Sequence, residues 1–371
     1  MNSNSIGKNF VITYFGESHG KCVGVIVDGC PPGLPLKEED IQKELDKRKP
    51  GKEFYSTPRA EEDRVQILSG VFNGYTTGTP ICMVVWNKEV ESEVYEEFRW
   101  KPRPGHADYP ATIKYQGYND YRGSGIFSSR ITIGFVAAGA IAKMLLKQIG
   151  VEVLAHVVEI GGIKTKIKPT LEQLRKEVYS NPLRCVDKEA SKKMEEVILK
   201  VKEEGDSVGG VIEAIAVNVP VGVGNPIFNS LDADLARFLF CIPAVKGVEF
   251  GVGFKAAELK GSENNDEYRV KDGKIVTLTN NAGGILGGLS TGMPIVVRVA
   301  FKPPSSIRKK QKTVDLRTMT DTEIEVKGRY DVCFVPRTVP IVEAVVANVL
   351  VDHILPLGLI RFKDKEAKNQ T

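Results

Sequence analysis

The longest apolar segment of the chain extends from Ile131 to Leu146 and is rich in small residues such as Gly134, Ala138 and Ala142. Lys143 carries the one charged side chain within it. A segment of this length and composition predicts a helix buried on all sides, because small side chains let neighbouring elements approach closely. The segment is shorter than a transmembrane helix requires. It therefore predicts a closely packed central helix of a soluble protein.

Other apolar patterns predict the remaining elements. Strands are expected at 9–15, 23–27, 151–160, near 209–219 and at 294–301, with two more inside 64–86. Helices are expected at 36–49, 170–179, 187–204 and 230–240, with a last helix that begins at Thr338 and Pro340 and ends near 355. Residues 87–102 are charged and expected to be exposed, and 302–313 form a basic Pro/Ser loop.

Strands and helices alternate irregularly along the chain, without a repeating βαβ period. This pattern indicates neither a TIM barrel nor a Rossmann sheet, and it favours an α+β fold. The 371 residues, 42% of them hydrophobic, suffice for one large core. We expect a single domain over 1–371, with its core at about 6–355 and a polar C-terminal tail at about 363–371.

The formal net charge of +4 is small, and the basic residues are spread along the chain. Nucleic acid or a membrane is therefore not required as a partner, and an acidic small molecule fits equally well. The six cysteines form no CxxC pair, and no His/carboxylate cluster has metal-ligand spacing. Together with the lack of a signal peptide, this predicts a cytoplasmic protein with free thiols and no metal.

A glycine-serine turn at 123–129 precedes the central apolar helix. Such a turn can present unpaired backbone N–H groups at the positive end of a helix dipole, which is an anion site. The alternative is that Ser128 or Ser129 only caps the helix. Basic and imidazole side chains nearby favour a phosphate or carboxylate site: Arg103, His106, Arg122 and Arg130.

Two of the four histidines lie in loops. His19 stands beside Ser18, and His106 lies two residues before Asp108 in a Pro/Gly loop. Loop histidines that titrate near neutral pH are natural proton donors, although many are merely exposed. His156 in an apolar strand and His353 in the last helix are expected to be structural.

Two familiar motifs occur in the wrong context. GESHG at 16–20 matches G-x-S-x-G, but it leads into a strand-like segment instead of the helix that a nucleophile elbow needs. Gly251, Gly253 and Ala256 match G-x-G-x-x-A, but no helix can follow them before GSENND. A serine hydrolase and a dinucleotide fold are therefore disfavoured.

The segment GRYDVCFVPRTVPIVEA places Arg329, Asp331 and Arg337 around a turn that precedes a helix. A surface ion pair is the simplest explanation of such a cluster. Guanidinium groups also suit carboxylate and phosphate ligands. Read together with Arg48, Arg122, Arg130 and Lys302, the segment indicates a basic pocket for a polyanion.

Three segments resemble the chorismate synthase family: FGESHGKCVGVIVDGCPPG, RPGHADYPATIKY with the following DYRGSG, SSR and AAGAIAK, and GRYDVCFVPRTVPIVEA. ELDKRKPG, ILSGVFNGYTTGTP, EEGDSVGG, VKGVEFGVGF and NNAGGILGGLSTG resemble it in the same order, so the likeness extends from about Ile6 to Ile354.

The resemblance implies a β–α–β sandwich, usually a homotetramer, that requires reduced FMN. The implied reaction is a 1,4-anti elimination of phosphate from 5-enolpyruvylshikimate 3-phosphate to give chorismate, without net redox change. It leaves open whether NADPH reduces the flavin on this chain or an external flavin reductase supplies it. No additional reductase domain is visible in the sequence, which favours the external source.

The resemblance also assigns roles to individual residues. His19 would protonate the departing phosphate, His106 would protonate the anionic flavin, and Asp331 would assist removal of the ring proton. Ser18 and Ser128 would relay protons. The substrate clamp would comprise Arg48, Arg130 and Arg337. The flavin contacts would be Ile126, Phe127, Ser128, Ala244, Gly287, Lys302, Pro303, Pro304, Ser305, Ser306 and Arg329.

Five positions depart from the commonest family pattern: Phe54, Ile126, Ile131, Pro243 and Tyr330. At 126 and 243 only backbone contacts with the flavin could remain. The alternative function is a catalytically inactive relative that binds FMN or another anion. The presence of His19, His106 and Asp331 counts against this alternative.

Overall fold

Two long apolar helices, Thr132–Lys147 and Val335–Ile354, form the centre of the fold. They belong to a computed structural model that describes residues 4–49, 55, 62–88, 93–327 and 330–362. The two helices contact each other closely, because a Cβ atom built on Gly139 would lie 2.3 Å from Cβ of Ala344. The predicted central helix is confirmed, and its small residues allow this close approach.

The helices are α1 (Glu38–Arg48), α2 (Glu96–Trp100), α3 (Asp108–Lys114), α4 (Thr132–Lys147), α5 (Leu171–Glu177), α6 (Lys188–Glu203), α7 (Leu231–Leu239), α8 (Gly261–Asn264) and α9 (Val335–Ile354). Short 3-10 helices occur at Glu93–Tyr95, Arg122–Phe127, Ser129–Ile131, Val178–Ser180, Ile227–Asn229, Gly253–Glu258 and Leu355–Leu357.

The strands are β1 (Ser5–Ile6), β2 (Val11–Gly16), β3 (Cys22–Asp28), β4 (Val65–Ile67), β5 (Val71–Phe72), β6 (Tyr75–Thr76), β7 (Ile81–Trp86), β8 (Glu152–Ile160), β9 (Ile163–Lys164), β10 (Gly210–Val217), β11 (Val245–Phe250), β12 (Tyr268–Lys271), β13 (Lys274–Thr277), β14 (Ile285–Leu286), β15 (Leu289–Ser290), β16 (Ile295–Phe301), β17 (Gln311–Asp315) and β18 (Thr320–Ile324).

Ten of these strands form two antiparallel five-stranded sheets, in the orders β1-β2-β3-β7-β4 and β11-β16-β10-β8-β9. The first sheet pairs Val11 with Asp28, and the second pairs Gly210 with both Ile160 and Phe301. Helix α4 packs against β3, and α9 packs against β8 and β10. The fold is therefore a single domain of mixed helix and strand, with its main hydrophobic core around α4 and α9.

The predicted strands and helices agree with the structure to within a few residues, with three differences. The last helix begins at Val335 instead of Thr338, because Pro336 lies in the first turn, where a missing N–H costs nothing. The segment 87–102 is not wholly exposed, since Phe98 packs beneath Ile324 and Val326. The predicted loop 302–313 ends where β17 begins, at Gln311.

With the 3-10 turn that precedes it, the central helix covers 19 residues, Ser129–Lys147, and so is longer than its apolar segment. The helical span Ser129–Lys147 and the span Val335–Leu357 are both long and apolar enough to cross a membrane, but 78% and 89% of their most apolar windows are buried inside the fold. Burial against other elements, and not insufficient length, therefore identifies α4 and α9 as core helices.

Candidate functional site

A cavity of about 560 Å³ lies among the C-terminal end of α1, the segment that precedes α4, the end of α7 and the first turns of α9. Most of the candidate residues from the sequence line it: Arg48, His106, Ile126, Phe127, Ala244, Lys302, Pro303, Pro304, Ser305, Asp331 and Arg337. Residues separated by almost 300 positions thus meet at one site, which the order of the motifs alone could not show.

One end of the cavity is basic. Arg48 is buried at the end of α1, with Nη2 3.7 Å from Oδ2 of Asp63, and Nη1 of Arg337 lies 3.0 Å from both carboxylate oxygens of Asp331. Burial lowers the pKa of Arg48 to about 10, although Asp63 acts in the opposite direction. The Nε atoms of both arginines are buried and lack a hydrogen-bond partner among the described residues. The two guanidinium groups that line this end of the cavity favour an anionic ligand.

Arg130 supports this basic end from behind. It does not line the cavity; its Nη1 donates to Oδ1 of Asp63 at 2.9 Å, and its Nε donates to Oδ1 of Asn87 at 2.6 Å. Asp63 therefore joins Arg130 to Arg48 through one buried carboxylate. The sequence did not single out Asp63, which follows a charged run without any distinguishing pattern.

The opposite side of the cavity has a lysine-rich loop. Nζ of Lys302 donates to the carbonyl of Gly105 and to Oγ of Ser305, the latter at 2.7 Å. Partial burial and the neighbouring Lys246 lower the pKa of Lys302. Lys246 also lines the cavity and was missed, although it lies in the family-like segment VKGVEFGVGF. The apolar walls between the two ends include Phe127 and Phe334.

His106 reaches the cavity from the loop that precedes α3. Its Nδ1 lies 2.6 Å from Oδ1 of Asp108, which also binds Arg103. Burial lowers the pKa of His106, and Arg103 and Lys302 lower it further, while Asp108 opposes them. Although burial would raise the pKa of Asp108, hydrogen bonds from Arg103 and His106 hold it well below its usual range.

His19 and Ser18 occupy the turn between β2 and β3, behind the cavity wall. Both are buried, and the His19 ring meets Tyr95 edge-on at 5.2 Å between centroids. A Cβ built on Gly123 would lie 2.1 Å from Cδ2 of His19, so this glycine packs directly on the imidazole. The backbone N–H of Ser18 donates to the carbonyl of Gly125 at 3.3 Å.

The glycine-serine turn has an unusual backbone. Gly123, Ser124 and Gly125 all have positive φ angles, of 56°, 68° and 52°. Ser128 then caps the 3-10 helix Ser129–Ile131, with its Oγ accepting from the N–H of Arg130 at 3.3 Å. This is the capping alternative considered for the sequence. The N–H groups of Ser128, Arg130 and Ile131 are hydrogen-bonded within the turn, and Ile126 and Phe127 present it to the cavity.

Several candidates lie elsewhere. Gly287 is in the β14–β15 turn, next to Gly288, which contacts Ser230 at the start of α7; the cavity is at the other end of that helix. Ser306 accepts from Nη1 of Arg103 at 3.1 Å and does not line the cavity. Arg122 does not join the basic pocket, because it forms an exposed ion pair with Asp120. Arg329 and Phe54 lie outside the described residues.

The structure shows the surroundings of the other positions that depart from the commonest family pattern. Ile126, Ile131 and Pro243 line the cavity. Tyr330 joins a small cluster with Tyr95 and Phe98, and its hydroxyl donates to the carbonyl of Lys327 at 2.8 Å. Burial raises the pKa of Tyr330 to about 12.

His156 and His353 have the structural settings that we expected. Both are buried, and each has its Nε2 near a carboxylate, at 3.4 Å from Glu213 and 3.0 Å from Asp234. Within the described ranges, no three His, Cys, Asp or Glu side chains are grouped so as to hold a metal ion.

Comparisons with known proteins agree with the resemblance in the sequence. The profile of the family described as chorismate synthase matches residues 10–355. A chorismate synthase from Methanosarcina barkeri is 54% identical over 360 residues, covering 97% of this chain and 98% of that protein. One from Dehalococcoides mccartyi is 53% identical over 358 residues, covering 96% and 98%.

A solved structure described as "Crystal Structure of Chorismate Synthase" superposes on this fold with a TM-score of 0.74 at 33% identity. The match covers 94% of this chain and 92% of the other. No comparison favours an inactive relative. Enzymes of this family are generally dependent on reduced flavin and act in the shikimate pathway of aromatic biosynthesis. The chain therefore belongs to the chorismate synthase family and is an enzyme of the lyase class.

Proposed function

We propose that this chain eliminates phosphate from 5-enolpyruvylshikimate 3-phosphate by a 1,4-anti elimination, giving chorismate, with reduced FMN bound in the cavity. The observation that carries the proposal is that four basic side chains, Arg48, Lys246, Lys302 and Arg337, line one cavity. A substrate with two carboxylates and a phosphate carries the negative charges that match these basic side chains. Arg130 supports the clamp through Asp63.

The other part of the cavity suits a flavin. Ile126, Phe127 and Phe334 provide apolar surface for a flat ring, and Lys302 and Lys246 supply positive charge for a terminal phosphate. The backbone at Pro303, Pro304 and Ser305 borders the same space. Reduced FMN supplies an electron-rich ring that assists the elimination without net redox change. The family's contacts through Ser306, Gly287 and Arg329 remain part of the proposal.

The proton-handling groups lie on two sides of this space. His106 borders the cavity and would hold a proton for a flavin bound there, and the carboxylate of Asp331, beside Arg337, would help that flavin to accept the ring proton. His19 protonates the departing phosphate from behind the turn at Gly123, and Ser18 and Ser128 relay protons along that turn. General acids and bases placed in this way typically accelerate a reaction by about 10²–10⁴-fold.

Features of the whole molecule belong to the same proposal. The layers form a β–α–β sandwich, supported by α4 against the first sheet and α9 against the second. One domain covers the chain, with its core at about 6–355; residues 363–371 lie outside the described part. The enzyme is a cytoplasmic homotetramer, and exposed Phe72, Phe228 and Phe254 provide apolar surface for subunit contacts.

The reduced flavin comes from an external reductase. The alternative is that this chain reduces its own flavin with NADPH. An assay of flavin reduction by NADPH, with the purified protein alone, distinguishes these two sources of reduced flavin.

The proposed function is tested in an anaerobic assay with photoreduced FMN and 5-enolpyruvylshikimate 3-phosphate. We expect release of phosphate together with the absorbance of chorismate, and no product with oxidised FMN. Flavin binding without product would restore the inactive alternative. Failure to bind either ligand would refute the proposed site.

Replacing Arg48 with glutamine should raise KM for the substrate by about 10–100-fold, because a hydrogen bond to a charged group contributes about 1.5–3 kcal/mol. Asp63 keeps its 2.9 Å contact with Arg130, so the local fold should persist. The matched control is Arg269→Gln, since Arg269 is exposed on β12. Steady-state kinetics at fixed reduced FMN measures both variants, and an equal KM would remove Arg48 from the clamp.

A further inference from the structure

His106 is held by two charged neighbours in its own loop. Oδ1 of Asp108 lies 2.6 Å from Nδ1 of the imidazole and accepts from Nη2 of Arg103 at 2.8 Å. Oδ2 of the same carboxylate accepts from the backbone N–H and the Nε of Arg103, at 3.1 and 2.8 Å. The described side-chain partners of Asp108 are thus Arg103 and His106. The N–H groups of Arg103 can only donate, whereas a ring nitrogen of His106 can either donate or accept.

This arrangement determines where the imidazole proton lies. The carboxylate is ionised, because three N–H groups of Arg103 donate to it and its pKa is far below the usual range. An ionised carboxylate can only accept, so Nδ1 of His106 must carry the proton. Nη2 of Arg103 lies 3.1 and 3.4 Å from the two ring nitrogens, but its two hydrogens donate over shorter distances to Oδ1 of Asp108 and Oγ of Ser124, at 2.8 and 2.9 Å. Its influence on the ring is therefore that of a nearby charge.

Arg103 also joins segments that are distant in sequence. Its Nη1 donates to Ser306 at 3.1 Å, and its Nη2 donates to Ser124 at 2.9 Å. Its guanidinium lies over the ring of Phe98, with Cζ 4.4 Å from the centroid. The side chain is 3% exposed. A carboxylate supported by such a fixed arginine is itself fixed, and so is the ring that it holds.

We propose that Asp108, fixed by Arg103, is a positioning residue that keeps His106 in its Nδ1–H tautomer and leaves Nε2 as the atom that exchanges a proton at the cavity. The assignment of the flavin as proton partner rests on the proposed function. The tautomer itself depends only on the contacts of Asp108.

The charged groups that face His106 are Arg103 and Asp108 from its own loop and Lys302 from the loop after β16. Burial and the two cations favour the neutral ring, and Asp108 favours the cation. Neutralising Asp108 should therefore lower the pKa of His106 further, and neutralising Arg103 should raise it. These opposite directions separate an electrostatic role from general damage to the loop.

The test uses nitrogen NMR of the flavin-free protein labelled at histidine, in which the His106→Gln spectrum assigns His106 among the four histidines. Wild type should show protonated Nδ1 and unprotonated Nε2 at neutral pH. Asp108→Asn should reverse the tautomer: two fixed donors hold the amide oxygen at the Oδ2 position, so the amide NH₂ faces Nδ1. Arg103→Gln should retain the tautomer and raise the pKa.

Turnover is measured in parallel. Asp108→Asn should lower kcat by about 10²–10⁴-fold, the range seen when a catalytic histidine is held in the wrong tautomer or loses its acid–base role. The matched control is Asp315→Asn, which alters another arginine-bound aspartate far in sequence from any histidine and should preserve kcat. Protonated Nε2 in wild type, or an unchanged tautomer in Asp108→Asn, would overturn the inference. An inactive wild type with the expected tautomer would refute the proposed function instead.

Discussion

Replacing Lys143 with methionine is expected to lower the free energy of unfolding by about 3–5 kcal/mol, the usual cost of removing one partner of a buried ion pair. Nζ of Lys143 lies 2.7 Å from Oε2 of Glu44 and 2.6 Å from Oε2 of Glu343. Burial would lower the pKa of Lys143, but the two glutamates raise it above its ordinary value. Because methionine is similar in length to lysine, the loss of stability would result from the missing charge and not from a cavity.

The cost arises because the carboxylates cannot easily find other partners. Glu343 is 3% exposed and accepts from the N–H of Ala155 at 3.1 Å and from the hydroxyl of Tyr179 at 3.0 Å. These neutral donors remain in the variant, but no cation of the described part of the chain remains in an ion pair with Glu343. Glu44 keeps its ion pair with Lys47. The uncompensated charge is therefore that of Glu343 in the core.

Urea unfolding followed by circular dichroism measures the effect, with Lys176→Met as the control. Lys176 pairs with Glu172 at 2.6 Å, but both side chains are 71% exposed, so its removal should change stability by less than about 1 kcal/mol. Equal stability of the two variants would show that the ion pairs of Lys143 with Glu44 and Glu343 contribute no more than an exposed pair.

Replacing Gly123 with alanine is expected to reduce turnover by about 100-fold or more, in the range that a general acid contributes. The added Cβ would lie 2.1 Å from Cδ2 and 2.4 Å from Nε2 of His19. Real atoms cannot remain so close, and the imidazole is confined on another side by Tyr95. The ring must therefore move away from the position proposed for protonating the leaving phosphate.

Gly117→Ala provides a matched control, because Gly117 also has a positive φ, of 79°, but nothing lies within 4 Å of an added Cβ. Both alanines incur a left-handed backbone cost of about 1–2 kcal/mol, and only one contacts a histidine. Anaerobic single-turnover assays should therefore separate the two variants. A comparable loss of turnover in both variants would mean that backbone strain causes the effect. It would then give no support to a role for His19 at its observed position.

The sequence predicts the main elements well because their signals are local. Small residues and a long apolar segment identify α4, and apolar segments identify β3 and β8. The hairpin β17–β18 was not anticipated, because its many polar residues are typical of a loop. Its contact with Phe98, which is distant in sequence, is visible only in the structure. The start of α9 was misplaced because a proline within the first turns of a helix is compatible with more than one starting residue.

The candidate site is predictable to a similar degree. Residues in loop motifs, such as His106 and Asp331, could be singled out by type and neighbourhood, and they do line one cavity. Asp63 and Lys246 could not, because their importance comes from side chains that are distant in sequence. Arg122 was grouped with the basic residues by its proximity in sequence, yet its carboxylate partner is two residues away at the surface.

The close contact between Gly139 and Ala344 lies between two helices, α4 and α9, whose first turns line the cavity. Gly139 lies about two turns into α4, beyond the segment that carries Phe127, and Ala344 lies about two turns beyond Arg337 on α9. A larger side chain at Gly139 would push α4 away from α9, and the cavity residues at the start of each helix would move with them. The small side chains at this interhelical contact therefore help to fix the shape of a cavity that they do not themselves line.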